Sequence, residues 1–192
     1  FLLKRYELLK KEKIKTFILD IKNREKTSIE MSKFEPDVIV HLSSVSSSII
    51  SNQKPFLSYD NQIRSLLVAL DWIKNSKNIK KKHLVMASSS TVYGDFKKKN
   101  VKEDEALKPT GTYPTAKYVS EKILKDHAKF FGYKYTIVRP SALYGERCIS
   151  GRVTQKFLED ALLGKKLRLM GNGKLDFTNI ADLVYGIELI IK

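Results

Sequence analysis

One alternation constrains the fold more than anything else in the chain. Short runs rich in Val, Ile and Leu, "KTFIL" (15–19), "DVIVHL" (37–42), "HLVMAS" (83–88) and "YTIVRP" (135–140), are separated by longer amphipathic stretches. Runs this short and this apolar predict strands buried on both faces, and the three- and four-residue spacing between them predicts helices. The helices are expected near 24–34, 56–75 and 113–131, with others near 152–163 and 180–191. Strands alternating with helices form a parallel sheet joined by crossovers, so the fold class is α/β. Ligands of such sheets gather at the carboxyl ends of the strands, and the residues just after each run therefore carry the functional argument.

Those residues are polar. After 37–42 comes "SSVSSS" (43–48), and after 83–88 comes "SSTVYG" (89–94). A serine-rich loop alone is usually a flexible connector. Two of them, each after a strand of one sheet, would line a single crevice with hydroxyl and backbone N–H groups suited to a polar ligand.

A third feature is "TYPTAKYVSEK" (112–122), which sets Tyr113 and Lys117 four residues apart. Pro114 between them marks a helix start, because proline is tolerated in the first turn. Ala116, Val119, Ile123, Leu124, Ala128 and Phe131 then give the apolar face, and Gly132 suits the left-handed terminator. Tyr113 and Lys117 fall one turn apart on one face. A nearby ammonium stabilises a phenolate, which is what a tyrosine needs to act as acid and base. On these residues alone, a helix-capping tyrosine beside an unrelated lysine is the simpler account.

Composition removes several classes of function. The 192 residues, 42% hydrophobic and 30% charged, suffice for a globular core. The net charge of +15 invites a nucleic-acid partner, yet 29 of the 36 basic residues are lysines scattered along the chain without interleaved aromatics. A solvated lysine-rich surface explains that better than a phosphate-binding footprint. No apolar run reaches the roughly 18–20 residues that cross a bilayer, so no membrane partner is expected. Cys148, the single cysteine, cannot form an intrachain disulfide and has no metal-ligand spacing around it, which points to a reducing cytoplasm and no metal. His41, Trp72, Phe130 and Phe131 are most simply core or interface residues, and Gly171-Asn172-Gly173 is either a tight turn or a substrate-binding loop.

The motifs occur together in a known order. "LDI" (19–21), "PDVIVHLSS" (36–44), "KPFLSYDN" (54–61), "MASSSTVYG" (86–94), "YPTAK" (113–117), "VRPSALYGER" (138–147) and "GNGKLDFTNIADLV" (171–184) resemble the extended short-chain dehydrogenase/reductase family, within it the NAD-dependent nucleotide-sugar epimerases and dehydratases. The likeness runs from about residue 15 to the end. It implies a Rossmann-like, doubly wound parallel sheet, with residues 1–145 as a partial NAD-binding domain. Residues 146–192 would begin the substrate-binding region, with a returning Rossmann segment.

Carried onto this sequence, the resemblance implies Tyr113 as the acid/base, with Lys117 binding the nicotinamide ribose and lowering the tyrosine pKa. Ser89 would hydrogen-bond the reacting sugar hydroxyl, assisted by Thr91. Asp20 and Ile21 would contact adenine. Leu42, Ser43, Ser44, Asn61, Ser88 and Pro140 fall at further cofactor-contacting positions. Binding of the diphosphate of a nucleotide-sugar substrate would lean on Arg147, Arg152 or Arg168. The family also implies a homodimer, with helices 56–75 and 113–131 pairing between subunits.

Departures from the family pattern matter. The glycine-rich phosphate turn and the second strand, whose end selects NAD or NADP, do not occur in these residues. The expectation is therefore an incomplete domain, also short of substrate-binding chain at its carboxyl end, in which strand 15–19 has no neighbour and which alone neither packs a native core nor binds NAD. Ala142 stands where the family often has Asn, and Leu175 where it often has Arg. Ser90-Thr91 replaces the Asp-Glu pair of 4,6-dehydratases, which disfavours water elimination relative to epimerisation. The remaining alternatives are an NADP-dependent reductase or a dehydratase of the same family, and an inactive dinucleotide-binding sensor.

Overall fold

In the computed structural model the described residues are 2–96, 98–148, 151–168 and 175–192. Helix α1 spans Leu2–Lys11 and α2 spans Arg24–Phe34, followed by strand β1, Val38–His41. Three helical pieces come next, α3 (Ser48–Gln53), α4 (Pro55–Tyr59) and α5 (Ser65–Asn75), the last two joined by a π-helical turn over Asp60–Arg64. Strand β2 (His83–Ala87), helix α6 (Thr112–Phe131) and strand β3 (Lys134–Val138) complete the central unit. Beyond it lie β4 (Ala142–Tyr144), α7 (Val153–Leu162), β5 (Phe177–Asn179) and α8 (Ile180–Ile191).

The sheet is parallel, in the order β1-β2-β3, with Val40 opposite Val85 and Val85 opposite Thr136. A second parallel pair joins β4 to β5, so residues before and after the expected boundary at 145 share a sheet. Only the central strand meets the expectation of burial on both faces. In β2, Leu84, Val85 and Met86 are all buried, whereas Val40 of β1 and Tyr135 of β3 are exposed, because each outer strand has one neighbour. Leu84 and Met86 pack with Leu66, Leu70, Trp72 and Ile73 of α5 and Leu124 and Ala128 of α6. Each such buried side chain contributes about 1.5–3 kcal/mol of burial energy. Trp72 belongs to this core and its indole N–H donates to Ser32 at 3.0 Å, while Phe131 packs at its margin and Phe130 points to solvent.

One expected strand is absent. Residues 14–20 form no ladder, and Ile18 is fully exposed. Extended backbone needs a neighbouring strand for its N–H and C=O groups, and none lies beside this segment. Conversely, the periodicity argument did not supply α1, α3, β4 or β5. The helix expected over 56–75 is real but carries the π turn at its middle.

Candidate active site

The site lies where β1 and β2 end and α6 begins. Helix α6 starts with Pro114 in its first turn, as expected, but has no side-chain cap of its own. Its first amide, Thr112 N–H, instead donates to the Asn52 side chain of α3 at 3.0 Å. Gly111, at φ +95°, makes the bend that delivers the chain to this contact. Tyr113 is thereby fixed at the helix entrance, and Lys117 follows one turn later with 3% of its surface exposed.

The second component is the loop after β2. Ser88 N–H donates to Val138 O at 2.7 Å and Ser90 N–H to Pro140 O at 3.0 Å, which tie the loop to the end of β3. Ser89 caps the short 3-10 turn Ser90–Tyr93, accepting from Thr91 N–H at 3.2 Å and from the Thr91 hydroxyl at 2.9 Å. With both acceptor positions filled, the hydrogen of Ser89 is free to point outward. Tyr113 is its neighbour: the Ser89 side chain is near enough to the phenol to draw its pKa downward. Gly94 closes the loop at φ +73°, where a Cβ would lie 2.4 Å from Lys108 O.

Electrostatics modify the sequence expectation. Burial pushes the Tyr113 phenol above its ordinary value, opposed by the Ser89 side chain and by the charge of Arg152. The Lys117 ammonium lies 5.8 Å from the phenol ring centroid and donates to Ala87 O at 2.6 Å. Burial brings Lys117 itself down to about 8. His41, 3% exposed and 3.4 Å from the Ser65 hydroxyl, is a neutral core histidine, lowered to about 4 by burial and then by Lys117.

The other expected residues divide. Leu42, Ser43 and Ser44 follow β1 directly, beside the end of β2. Asp20 and Ile21 lie in the turn before α2, where Asp20 accepts from Lys22 N–H at 3.0 Å and Ile21 O accepts from Thr27. Lys22 pairs with Asp60 at 2.8 Å, which brings that turn beside the π segment containing Asn61. The Asn61 amide donates to Leu57 O, and the Ser88 hydroxyl donates to Glu121 at 2.5 Å, so its hydrogen is not available to a ligand. Arg152 acts on Tyr113, whereas Arg147 is exposed at φ +64° with its carbonyl accepting from Arg5. The loop 171–173 lies outside the described residues.

Two contributors escaped the sequence reading. Glu121 lies four residues after Lys117 on the same helix face and is 1% exposed. Arg139 grips it through Nε (2.9 Å) and Nη2 (2.7 Å). A carboxylate at the third position of the series 113, 117, 121, on the side that faces the sheet, was the available signal.

Residues 3–192 match the model of the NAD dependent epimerase/dehydratase family. The chain belongs to that family. A protein of Methanocaldococcus jannaschii is 32% identical over 98% of this chain and 58% of its own length. A UDP-glucuronate 4-epimerase of Thermodesulfobacterium geofontis is 25% identical over 97% of this chain and 57% of its own. Among solved structures, a Bacillus cereus UDP-glucuronic acid 4-epimerase bound to UDP-glucuronic acid and NAD superposes with TM-score 0.82, at 26% identity over 96% of this chain and 59% of that one. A Thermotoga maritima UDP-glucose 4-epimerase gives TM-score 0.80, at 27% identity over 92% and 58%. The family member described here thus spans a little under three fifths of the length of these relatives.

The family is NAD-dependent, and the residues present fit part of that cofactor. Among the described residues Lys117 Nζ meets one hydrogen-bond acceptor, so two of its N–H groups remain for a ribose. The hydroxyls of Ser43 and Ser44 at the end of β1, with the loop after β2, would meet the nicotinamide half. A glycine-rich turn for the diphosphate does not occur in the 192 residues. Among the described residues no cluster of His, Cys, Asp and Glu could hold a metal, and no helix is long and apolar enough to cross a membrane.

Proposed function

We propose that this chain carries the proton-handling centre of a nucleotide-sugar epimerase that oxidises a sugar carbon to a ketone and reduces it again on the other face. The observation that supports it most is the placement of Ser89 beside the Tyr113 phenol, with Thr91 donating into Ser89 from behind. Tyr113 would take the proton from the sugar hydroxyl and return it after the ketone turns over. Ser89 would hold that same hydroxyl, and Arg152 would meet the diphosphate. Bound NAD would supply the acceptor and donor of the hydride, so no net redox occurs. Lys117 would position the ribose.

Serine and threonine at 90 and 91 favour epimerisation over dehydration, since neither can remove a proton from carbon as a carboxylate does. UDP-glucose and UDP-glucuronate, the sugars named for its relatives, are the first substrates to test. The complete natural polypeptide containing this sequence, incubated with each sugar and NAD, should yield the 4-epimer by anion-exchange chromatography, and Tyr113→Phe should not. Accumulation of a 4-keto-6-deoxy sugar in place of the epimer would favour a dehydratase instead, and failure to turn over any nucleotide sugar would favour the sensor reading. A homodimer of the complete protein, and a division near 145 into cofactor and substrate segments, belong to the same proposal.

A further inference from the structure

We propose that Glu121 is a positioning residue that locks the Ser89 loop onto the Tyr113 helix, acting through Ser88 and Arg139. The inference rests on the epimerase reading above for its catalytic meaning, though not for its geometry. Glu121 Oε1 accepts from the Ser88 hydroxyl at 2.5 Å and from Arg139 Nε at 2.9 Å, while Oε2 accepts from Arg139 Nη2 at 2.7 Å. Arg139 Nη1 continues to the Tyr93 hydroxyl at 2.7 Å and to Glu103 O at 2.9 Å. The loop is therefore held at both ends, Ser88 by the carboxylate and Tyr93 by the guanidinium, with Ser89 between them.

The same carboxylate stands two turns along α6 from Tyr113. Helix, loop and the end of β3 meet at one charged group that is 1% exposed. An ion pair this buried is not a reliable source of stability, because desolvation of both ions offsets their attraction. What it does supply is direction. A planar guanidinium on a planar carboxylate admits one relative placement, and hydrogen bonds to charged groups are the strong ones. For the proton transfer proposed above, Ser89 has to be held against the Tyr113 hydroxyl, and a displacement of about 1 Å at such a contact can cost on the order of 10²-fold in rate. Glu121 sits where that displacement would be prevented.

A purely structural ion pair would lower stability without changing the Ser89–Tyr113 contact, and the test separates the two. In the complete polypeptide with tyrosine labelled by ¹³C at Cζ, the Tyr113 resonance, assigned by Tyr113→Phe, is titrated without sugar. Losing the Ser89 donor raises the phenol pKa, so Glu121→Gln should move the Tyr113 titration upward as Ser89→Ala does. Adding Glu121→Gln to Ser89→Ala should move it no further. With an active enzyme, Glu121→Gln should also lower kcat about 10–100-fold with sugar KM changed less than about 3-fold, and lower it less than 3-fold in the Ser89→Ala background. An unmoved Tyr113 titration, an unchanged kcat, or the same loss in both backgrounds overturns the proposal. Should Glu121→Gln fail to melt cooperatively, Ser88→Ala, which leaves the ion pair intact, decides by the same readouts. If the wild-type protein turns over no sugar while the titration shifts as described, the epimerase reading fails and the positioning role stands.

Discussion

Lys117 Nζ lies 2.6 Å from the carbonyl oxygen of Ala87 and 5.8 Å from the centroid of the Tyr113 ring. The helix spacing puts the two side chains on one face, yet the ammonium ends on the backbone of β2. Its own pKa, near 8, marks it as a strained charge: burial disfavours the ammonium, and one carbonyl offsets that only in part.

Lys117→Met should therefore stabilise the cofactor-free protein. The folded pKa near 8 is below the ordinary lysine value of 10.5, so the unfolded chain binds more protons between them and stability rises with pH across that window. Removing the buried charge should add up to about 3 kcal/mol at neutral pH and flatten the melting temperature between pH 8 and 10. Calorimetry at several pH values checks it. The same variant should lose NAD affinity, the usual exchange of stability against function.

Tyr113→Phe should lower turnover about 10²–10⁴-fold while leaving NAD bound. In the wild type, burial holds the phenol above its ordinary value of 10.0, so the phenolate is a minor species at neutral pH and grows as pH rises. The rate should therefore climb between pH 6 and 8. Neutralisation of Lys117 above about 8 should curtail the rise. A flat pH–rate profile over that range would exclude Tyr113 as the base.

Ser89→Ala and Thr91→Val should differ in size. Loss of the serine removes the donor proposed to hold the sugar hydroxyl, for about 10²-fold in kcat. Loss of the threonine hydroxyl removes one of the two donors that orient it, about 3–10-fold, the worth of a neutral hydrogen bond. Equal effects in steady-state kinetics would mean that Thr91 touches substrate itself.

His41 should make the fold acid-sensitive. Its pKa near 4 is below the ordinary histidine value of 6.5, so the unfolded state binds more protons and stability falls as pH drops from about 6.5 to 4. The loss amounts to about 3 kcal/mol at most. His41→Gln should reduce that slope in denaturant melts at pH 7, 5.5 and 4, even if it lowers stability at neutral pH.

Much of the fold was readable because it is local. A strand such as 83–87 advertises itself in five consecutive apolar-rich residues, and α6 in the spacing from Ala116 to Ala128. Pro114 marked the helix start, and the spacing of four put Tyr113 and Lys117 on one face. The order of motifs identified the family, which the match over residues 3–192 bears out.

What the sequence determined by itself, then, were α2, α5 to α8 and the three strands of the central sheet, the parallel α/β class and the residues that reach the ends of those strands. Tertiary structure alone decided the rest. It left 15–19 without a ladder, since a strand exists only where another strand lies beside it. Asn52 was turned into the cap of a helix 60 residues away, and the Lys117 ammonium went to Ala87 instead of to the phenol. The buried Glu121–Arg139 pair closed behind the serine loop in the same way. Helical and strand periods relate residues within a few positions of one another, whereas a hydrogen bond or ion pair between distant segments depends on where packing brings them.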